Sequence, residues 1–341
     1  MKSNVQSIAS TNSILDPLGP VSDFLERRGE IVSVEGLTGA SRAFFLAHFY
    51  HKMNRPVLIV SPDQNTAESL LGDLRYFVHF ESFDFYPMFF PSWELLPYET
   101  LSPLKEISGE RLHILDQLRS GSRPVLITPI DTLLNYVMPR RILEKNSFSI
   151  HKGDVLEREI LETCLVEAGY VFSELVEERG QFSIRGDIFD VFVPSLKEPV
   201  RVEFFGDEVE SIRQFDIGSQ VSIGEKENVR ILPVRELCLD PELIETGLRA
   251  IREEGRRSNS ERIRVRELED KIKHLRQFSG IEMYASFFYQ ERETLLDYLS
   301  NDTLIVLDNE DTIREQMTHY LELVASERQC AQVRGDVIVP P

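Results

Sequence analysis

Ile31-Val32-Ser33-Val34 followed by Gly36-Leu37-Thr38-Gly39-Ala40-Ser41-Arg42-Ala43 decides the fold. The first four residues predict a short buried strand, and an apolar helical stretch begins at Arg42. A glycine turn between a strand and a helix is the setting of a phosphate-binding loop, whose pattern is G-x-x-x-x-G-K-[ST]. Gly36 fits the first position, but Ser41 replaces the second glycine, Arg42 the lysine and Ala43 the hydroxyl residue. Those positions let backbone amides approach phosphates, supply a compact charge and hold Mg²⁺. Arginine lacks the point charge of lysine. The loop, with Gly36, Thr38, Gly39, Ser41, Arg42 and Ala43, therefore reads as a scaffold that has lost its chemistry. An ordinary glycine-rich turn would carry the same residues.

Outward from that loop the chain alternates strand and helix, which predicts a parallel, doubly wound sheet. Helices are expected at Arg42–Met53, Thr66–Phe77, Ile107–Leu118 and from Asp131 to Val137. Strands are expected at Pro56–Val60, Phe83–Tyr86 and Pro124–Thr128. Ala67, Leu70, Leu71 and Leu74 mark the buried helix face by their spacing. The segment from Phe90 to Glu99, with Trp93 and two prolines, reads as an ordered loop packed on the core. Much later, Thr303–Leu307 reads as a buried strand that rejoins the first sheet. Asp308 and Asn309 follow it, as a carboxylate follows a Walker B strand, but Asn309 stands where hydrolytic enzymes place a glutamate. Alone this is a polar turn after a strand; beside the altered loop it reads as a second vestige.

Between residues 147 and 218 the pattern becomes strand-rich. A helix over Arg158–Glu167 precedes strands at Gln181–Ile184 and Ile188–Val193 around Arg185-Gly186-Asp187. Strands Val200–Phe205 and Glu208–Gln214 flank Gly206-Asp207, a two-residue hairpin signal. Alternation puts Val202, Phe204 and Val209 on a core face and Arg201, Glu203 and Phe205 on the outward face. This stretch has 7 Lys/Arg against 16 Asp/Glu, so an outward arginine beside a phenylalanine is unusual there. Arginine and aromatic residues are enriched at binding hot spots. Arg185, on the neighbouring turn, joins them as a candidate. Pairing of Arg201 with Glu203 or Glu210 in a solvated charge cluster is the competing reading.

Composition sets the limits. The 341 residues carry a net charge of −19, which opposes non-specific nucleic-acid binding by the chain as a whole. Cys164, Cys238 and Cys330 have no metal-ligand spacing and suggest a reducing, cytoplasmic setting. His48 and His51 share a helix without a completing ligand. No apolar run approaches the about 20 residues a membrane span needs. The ending Asp336-Val337-Ile338-Val339-Pro340-Pro341 lacks a polar tail, so the chain reads as the N-terminal part of something longer.

These segments resemble the N-terminal UvrB-homology module of the bacterial transcription-repair coupling factor (Mfd). The resemblance rests on the Gly36–Ala43 loop, the Trp93 segment, Arg185-Gly-Asp-Ile-Phe-Asp-Val-Phe192, and Pro199-Val-Arg-Val-Glu-Phe-Phe-Gly-Asp-Glu208 with Ser211-Ile212 and Phe215-Asp216. Gly280-Ile-Glu282 and Leu296-Asp-Tyr298 complete it. It implies an α/β fold in which a split P-loop-NTPase-like domain, 1A and 1B, holds an inserted α+β domain 2. The expected bounds are a flexible extension at 1–22, domain 1A at 23–146, domain 2 at 147–218 and domain 1B at 219–341. It further implies that domain 2 docks on UvrA through two arginines and a phenylalanine, which map onto Arg185, Arg201 and Phe205. The fragment would be non-catalytic and without cofactor. ATP, Mg²⁺, DNA and RNA polymerase would engage only C-terminal domains of the parent translocase, which also contact domain 2. The alternative is an ATP-dependent DNA-binding protein like UvrB itself, but the short Trp93 loop has no Tyr-rich DNA-clamping insertion.

Overall fold

The structure is a computed structural model that describes residues 5–7, 31–257, 262–275 and 278–334. Most of the expected 1–22 extension and the chain end from 335 lie outside the described residues. Within the extension, Val5–Ser7 pairs in parallel with Ile31–Ser33. The chain divides into two compact units.

The first unit comprises Met1–Phe90, Ser122–Ile130 and Ser300–Gln316. Its sheet is parallel, with strand order Leu304–Leu307, Val57–Ser61, Val125–Pro129, Met88–Phe89. Both central strands are buried throughout, as expected of strands covered on both faces. Helices Ser41–Met53 and Gln64–Phe80 pack Ala43, Leu46, Ala47, Ala67, Leu70, Leu71 and Leu74 onto Val57, Ile59, Val125 and Ile127. The second helix starts at Asp63, whose side chain accepts from the Thr66 amide at 2.8 Å, satisfying one of its free N–H groups.

The strand that was to rejoin the sheet does so: Leu304–Leu307 pairs with Val57–Val60. It is an edge strand, however, and Ile305 and Leu307 are exposed rather than buried. Ile31–Ser33 is also a strand, but it pairs outside the four-stranded sheet and Ile31 is exposed. The strand expected at Phe83–Tyr86 is a loop. Phe83 stacks on His51 at 4.2 Å and Phe85 tilts against Tyr50 at 4.4 Å, so ring packing holds this segment off the sheet. The chain reaches the sheet only at Met88–Phe89.

The second unit comprises Pro91–Gly121, Asp131–Leu299 and Met317–Pro341. Its six-stranded sheet runs Ser222–Lys226, Glu208–Phe215, Val200–Phe205, Ile188–Val191, Gln181–Arg185, Val171–Phe172. All neighbours are antiparallel except the last pair. One face carries Phe182, Phe189, Val191, Val200, Val202, Phe204, Val209 and Ile212, covered by Leu161 and Leu165 of helix Arg158–Glu167. This is the alternation read from the sequence. The same cluster takes in Ile150, Val229, Ile231, Leu232 and Val234, because Phe148–His151 pairs with Asn228–Ile231. The packed body therefore continues past 218 to about 234.

Elsewhere in this unit, the helix expected over Asp131–Val137 is short, Ile130–Leu133. Tyr136–Val137 pairs instead with Glu293–Thr294, a partner more than 150 residues downstream that local spacing cannot reveal. The Trp93 loop is ordered: its indole N–H donates to Glu236 Oε1 at 2.7 Å. Glu236 also pairs with the buried Arg111, and Arg111 donates to the Pro91 carbonyl at 2.6 Å. The charged helices Pro241–Arg257 and Arg262–Leu275 turn a thin apolar stripe inward, with Leu248, Ile251, Leu268 and Ile272 buried. Gly247 lies against the Phe288 ring; a Cβ there would stand 2.2 Å from Cδ1, so no larger residue fits without a shift.

Candidate functional site

The outer face of the six-stranded sheet carries the charged residues. Register sets them in rows: Ser183, Asp190, Arg201 and Arg213 stand opposite one another across four strands, and Arg185, Ile188, Glu203 and Ser211 form the next row. Arg201 directly opposes Arg213, an unfavourable like-charge pair. Each guanidinium turns to a carboxylate instead. Arg213 takes Glu203 at 3.2 Å. Arg201 takes Asp190 with both Nε at 2.7 Å and Nη2 at 2.9 Å.

Asp190 is the centre of the arrangement. Its carboxylate is buried and also accepts from Arg185 Nη2 at 2.7 Å. One carboxylate thus faces two guanidiniums, leaving a net positive site on an acidic stretch of chain. Arg201 thus pairs with Asp190 and not, as the competing reading had it, with Glu203 or Glu210. Glu210 is the extra residue of a bulge, since Glu203 pairs with Ser211 and Phe204 with Val209. Arg201 is further held by Gln220, through its carbonyl at 3.4 Å and Oε1 at 3.3 Å, and it lies 4.6 Å over the Phe215 ring. Its hydrogen bonds to Asp190, against the opposing effect of burial, raise its pKa further.

The three candidate residues therefore differ. Arg201 is not fully outward: its side chain is 16% exposed, whereas that of Arg185 is 46% exposed. Phe205 is 80% exposed, which places a full aromatic ring in solvent two residues along the strand from the row of Arg185. Of the three, Arg185 and Phe205 are the more open to solvent. Asp190 is the residue that sequence reasoning missed. Its signal was a lone acid inside Ile188-Phe189-Asp190-Val191, between two core side chains.

The Gly36–Ala43 loop forms a second constellation, in the first unit. Gly36 and Gly39 take positive φ angles of 85° and 54°, so the loop keeps its glycine-dependent turn. Ser41 folds back, with its hydroxyl donating to the Thr38 carbonyl at 2.7 Å and accepting from the Thr38 amide at 2.8 Å. Ala43 is buried on the core face of helix Ser41–Met53. Arg42 Nη1 donates to both carboxylate oxygens of Asp308, at 2.8 and 2.9 Å. Arg42 and Asp308, 266 apart in sequence, thus neutralise each other. Asn309 has φ of 73° and accepts from the Thr312 amide at 3.3 Å, so it serves the start of the next helix. Among the described residues no group of His, Cys, Asp or Glu is arranged to hold a metal.

Residues 148–237 match the family model of the UvrB interaction domain. That span coincides with the packed body around the six-stranded sheet. A transcription-repair-coupling factor of Myxococcus xanthus is 33% identical over 336 residues, covering 95% of this chain and 28% of the relative. Those of Escherichia coli K12 and Haemophilus influenzae are 32% identical over 281 residues and 34% identical over 261 residues. They cover 82% and 76% of this chain, and 24% and 22% of the relatives. Over most of its length the chain is similar in sequence to these transcription-repair-coupling factors. It spans about a quarter of the length of these relatives. The candidate residues Arg185, Arg201 and Phe205 and the Gly36–Ala43 loop lie in different compact units.

Proposed function

We propose that this chain is a non-catalytic recruitment module that binds UvrA and so brings nucleotide excision repair to stalled RNA polymerase. The observation that carries the reading is the outer sheet face: an exposed Phe205 and a half-exposed Arg185, beside an Arg201 anchored on buried Asp190. Phe205 would fill an apolar pocket, and Arg185 and Arg201 would face acidic partner residues through charge-assisted hydrogen bonds. The first unit and the helical part of the second would correspond to a split domain, 1A and 1B, around domain 2. In the parent, C-terminal domains would supply the ATP- and Mg²⁺-dependent translocase, engage DNA and RNA polymerase, and cover domain 2.

The Arg42–Asp308 pair supports the view that the loop takes no nucleotide: the carboxylate that would organise Mg²⁺ already has both oxygens on a guanidinium, and Ala43 has no hydroxyl. No described helix is long and apolar enough to cross a membrane. Calorimetric titration with purified UvrA tests the proposal. Wild type should bind at micromolar affinity or tighter, and Arg185→Ala/Phe205→Ala should abolish the heat. Equal binding by that variant would refute the surface. Nucleotide-dependent binding to damaged duplex DNA would instead favour the UvrB-like reading.

A further inference from the structure

The two exposed docking residues each precede a hairpin turn. Arg185 is followed by Gly186-Asp187, and Phe205 by Gly206-Asp207. Both glycines have positive φ, 62° and 64°, and the turns close on the pairs Arg185–Ile188 and Phe205–Glu208. A two-residue turn at a sheet end has few packed neighbours, so two such tips would ordinarily move independently.

Here the strands Ile188–Val191 and Val200–Phe205 pair between the hairpins, and one side chain clamps both turns. Arg158, the first residue of helix Arg158–Glu167, reaches both turns. Its Nη1 donates to the Gly186 carbonyl, and its Nη2 donates to Asp187 Oδ1 at 2.9 Å and to the Gly206 carbonyl at 2.8 Å. The guanidinium carbon lies 5.6 Å over the ring of Phe204, the neighbour of Phe205 in the chain. The Phe204 amide donates to the Asp187 carbonyl at 2.8 Å, completing a direct bridge between the tips. An arginine in a first helical turn opposes the helix dipole, so its position is not explained by helix stability. A planar fork with several donors suits a site with three acceptors on two loops; a lysine ammonium cannot match that geometry.

We propose that Arg158 is a positioning residue of the docking surface, fixing the separation between Arg185 and Phe205 by clamping their two turns. This inference rests on the docking reading above. It assigns Arg158 no contact with the partner: its effect passes through the turns to Arg185 and Phe205, two of the residues that make contact. Preorganised loops bind more tightly because less ordering is left to the moment of association.

The experiment is calorimetric titration of the full chain with purified UvrA for wild type, Arg158→Ala, Arg185→Ala, Phe205→Ala and the double variant Arg158→Ala/Phe205→Ala. Thermal unfolding is measured on each. Arg158→Ala should weaken binding about tenfold, since it leaves partner contacts in place but disorders them. Its unfolding midpoint should move by no more than about 4 °C, because the side chain is partly exposed. In the Phe205→Ala background the same change should cost only about twofold, since one of the two positioned residues is gone. Wild-type affinity for Arg158→Ala beside weakened Arg185→Ala and Phe205→Ala would overturn the clamp alone. Additive losses in the double variant would also overturn it, by assigning Arg158 an independent role. Wild-type affinity for both Arg185→Ala and Phe205→Ala would refute the docking reading itself.

Discussion

Replacing Arg201 should damage the sheet before it damages any interface. Arg201 supplies two of the three side-chain donors on the buried Asp190 carboxylate, and its own side chain is only 16% exposed. Arg201→Ala leaves Asp190 with Arg185, which is closer to solvent and can swing inward. The loss should therefore fall below the full cost of orphaning a buried charge, at about 2–4 kcal/mol. Arg201→Glu is worse. It sets a second carboxylate beside Asp190, and two like charges about 4 Å apart add roughly 4 kcal/mol at the effective dielectric of a protein site. The sum approaches the about 5–15 kcal/mol that holds a domain together. Charge reversal here is thus a poor test of partner binding, and Arg185→Glu, at the more exposed arginine, is the cleaner one. Urea unfolding followed by far-ultraviolet circular dichroism measures the effect. With a slope of about 2 kcal/mol per molar, Arg201→Ala should lower the midpoint by about 1 M or more. A midpoint within about 0.2 M of wild type would refute the reasoning, because the buried triad would then contribute little.

Other outcomes follow from the same kind of accounting. The Arg42–Asp308 pair should show coupling: Arg42→Ala and Asp308→Ala each destabilise by about 1–3 kcal/mol, and the double variant by little more than either, since the pair acts as one unit; strict additivity in denaturant melts would contradict it. Stability should fall in acid through Asp116. Burial raises its pKa, but hydrogen bonds from Arg230 and Arg119 outweigh that and leave it below the ordinary carboxylate value. Its contribution is present above the unfolded value of about 4 and is lost as pH drops through the lower folded value, so Asp116→Asn should flatten the pH dependence of unfolding below about pH 4. Finally, burial pushes the Cys238 thiol up to about 12, while Cys330 is exposed. A disulfide reagent at pH 8 should modify Cys330 rapidly and Cys238 only on unfolding; rapid modification of Cys238 in the folded chain would contradict the burial.

Much of this architecture is legible in local sequence. The hairpin at Gly206-Asp207 forms where the turn pair indicates, with Val200–Phe205 observed at its expected bounds. Helix Arg158–Glu167 and the buried set Ala67, Leu70, Leu71 and Leu74 also follow from periodicity. The failures share a cause. Phe83–Tyr86 has strand-forming residues, yet ring contacts with Tyr50 and His51 claim them. Leu304–Leu307 is apolar enough for a central strand but lies at the sheet edge, where half its side chains meet solvent. Ser222–Lys226 pairs at the other sheet's edge with every residue exposed, so it offers no hydrophobic pattern to read.

The sequence by itself determined most of the helices, strands and turns and most of the residues that face a core, and it placed Ser41, Arg42 and Ala43 where a phosphate-binding loop has glycine, lysine and a hydroxyl residue. Those properties are set within a few residues, by side-chain spacing and turn chemistry. Only the tertiary structure decided who pairs with whom. Asp190 meets Arg201 because two strands align in one register, Arg158 reaches two turns because a helix starts beside them, and Arg42 closes on Asp308 across 266 positions. A charge in a sequence has a sign but no partner. The partner is fixed by register and packing, and the energy of the pair depends on burial that exists only after the chain has folded.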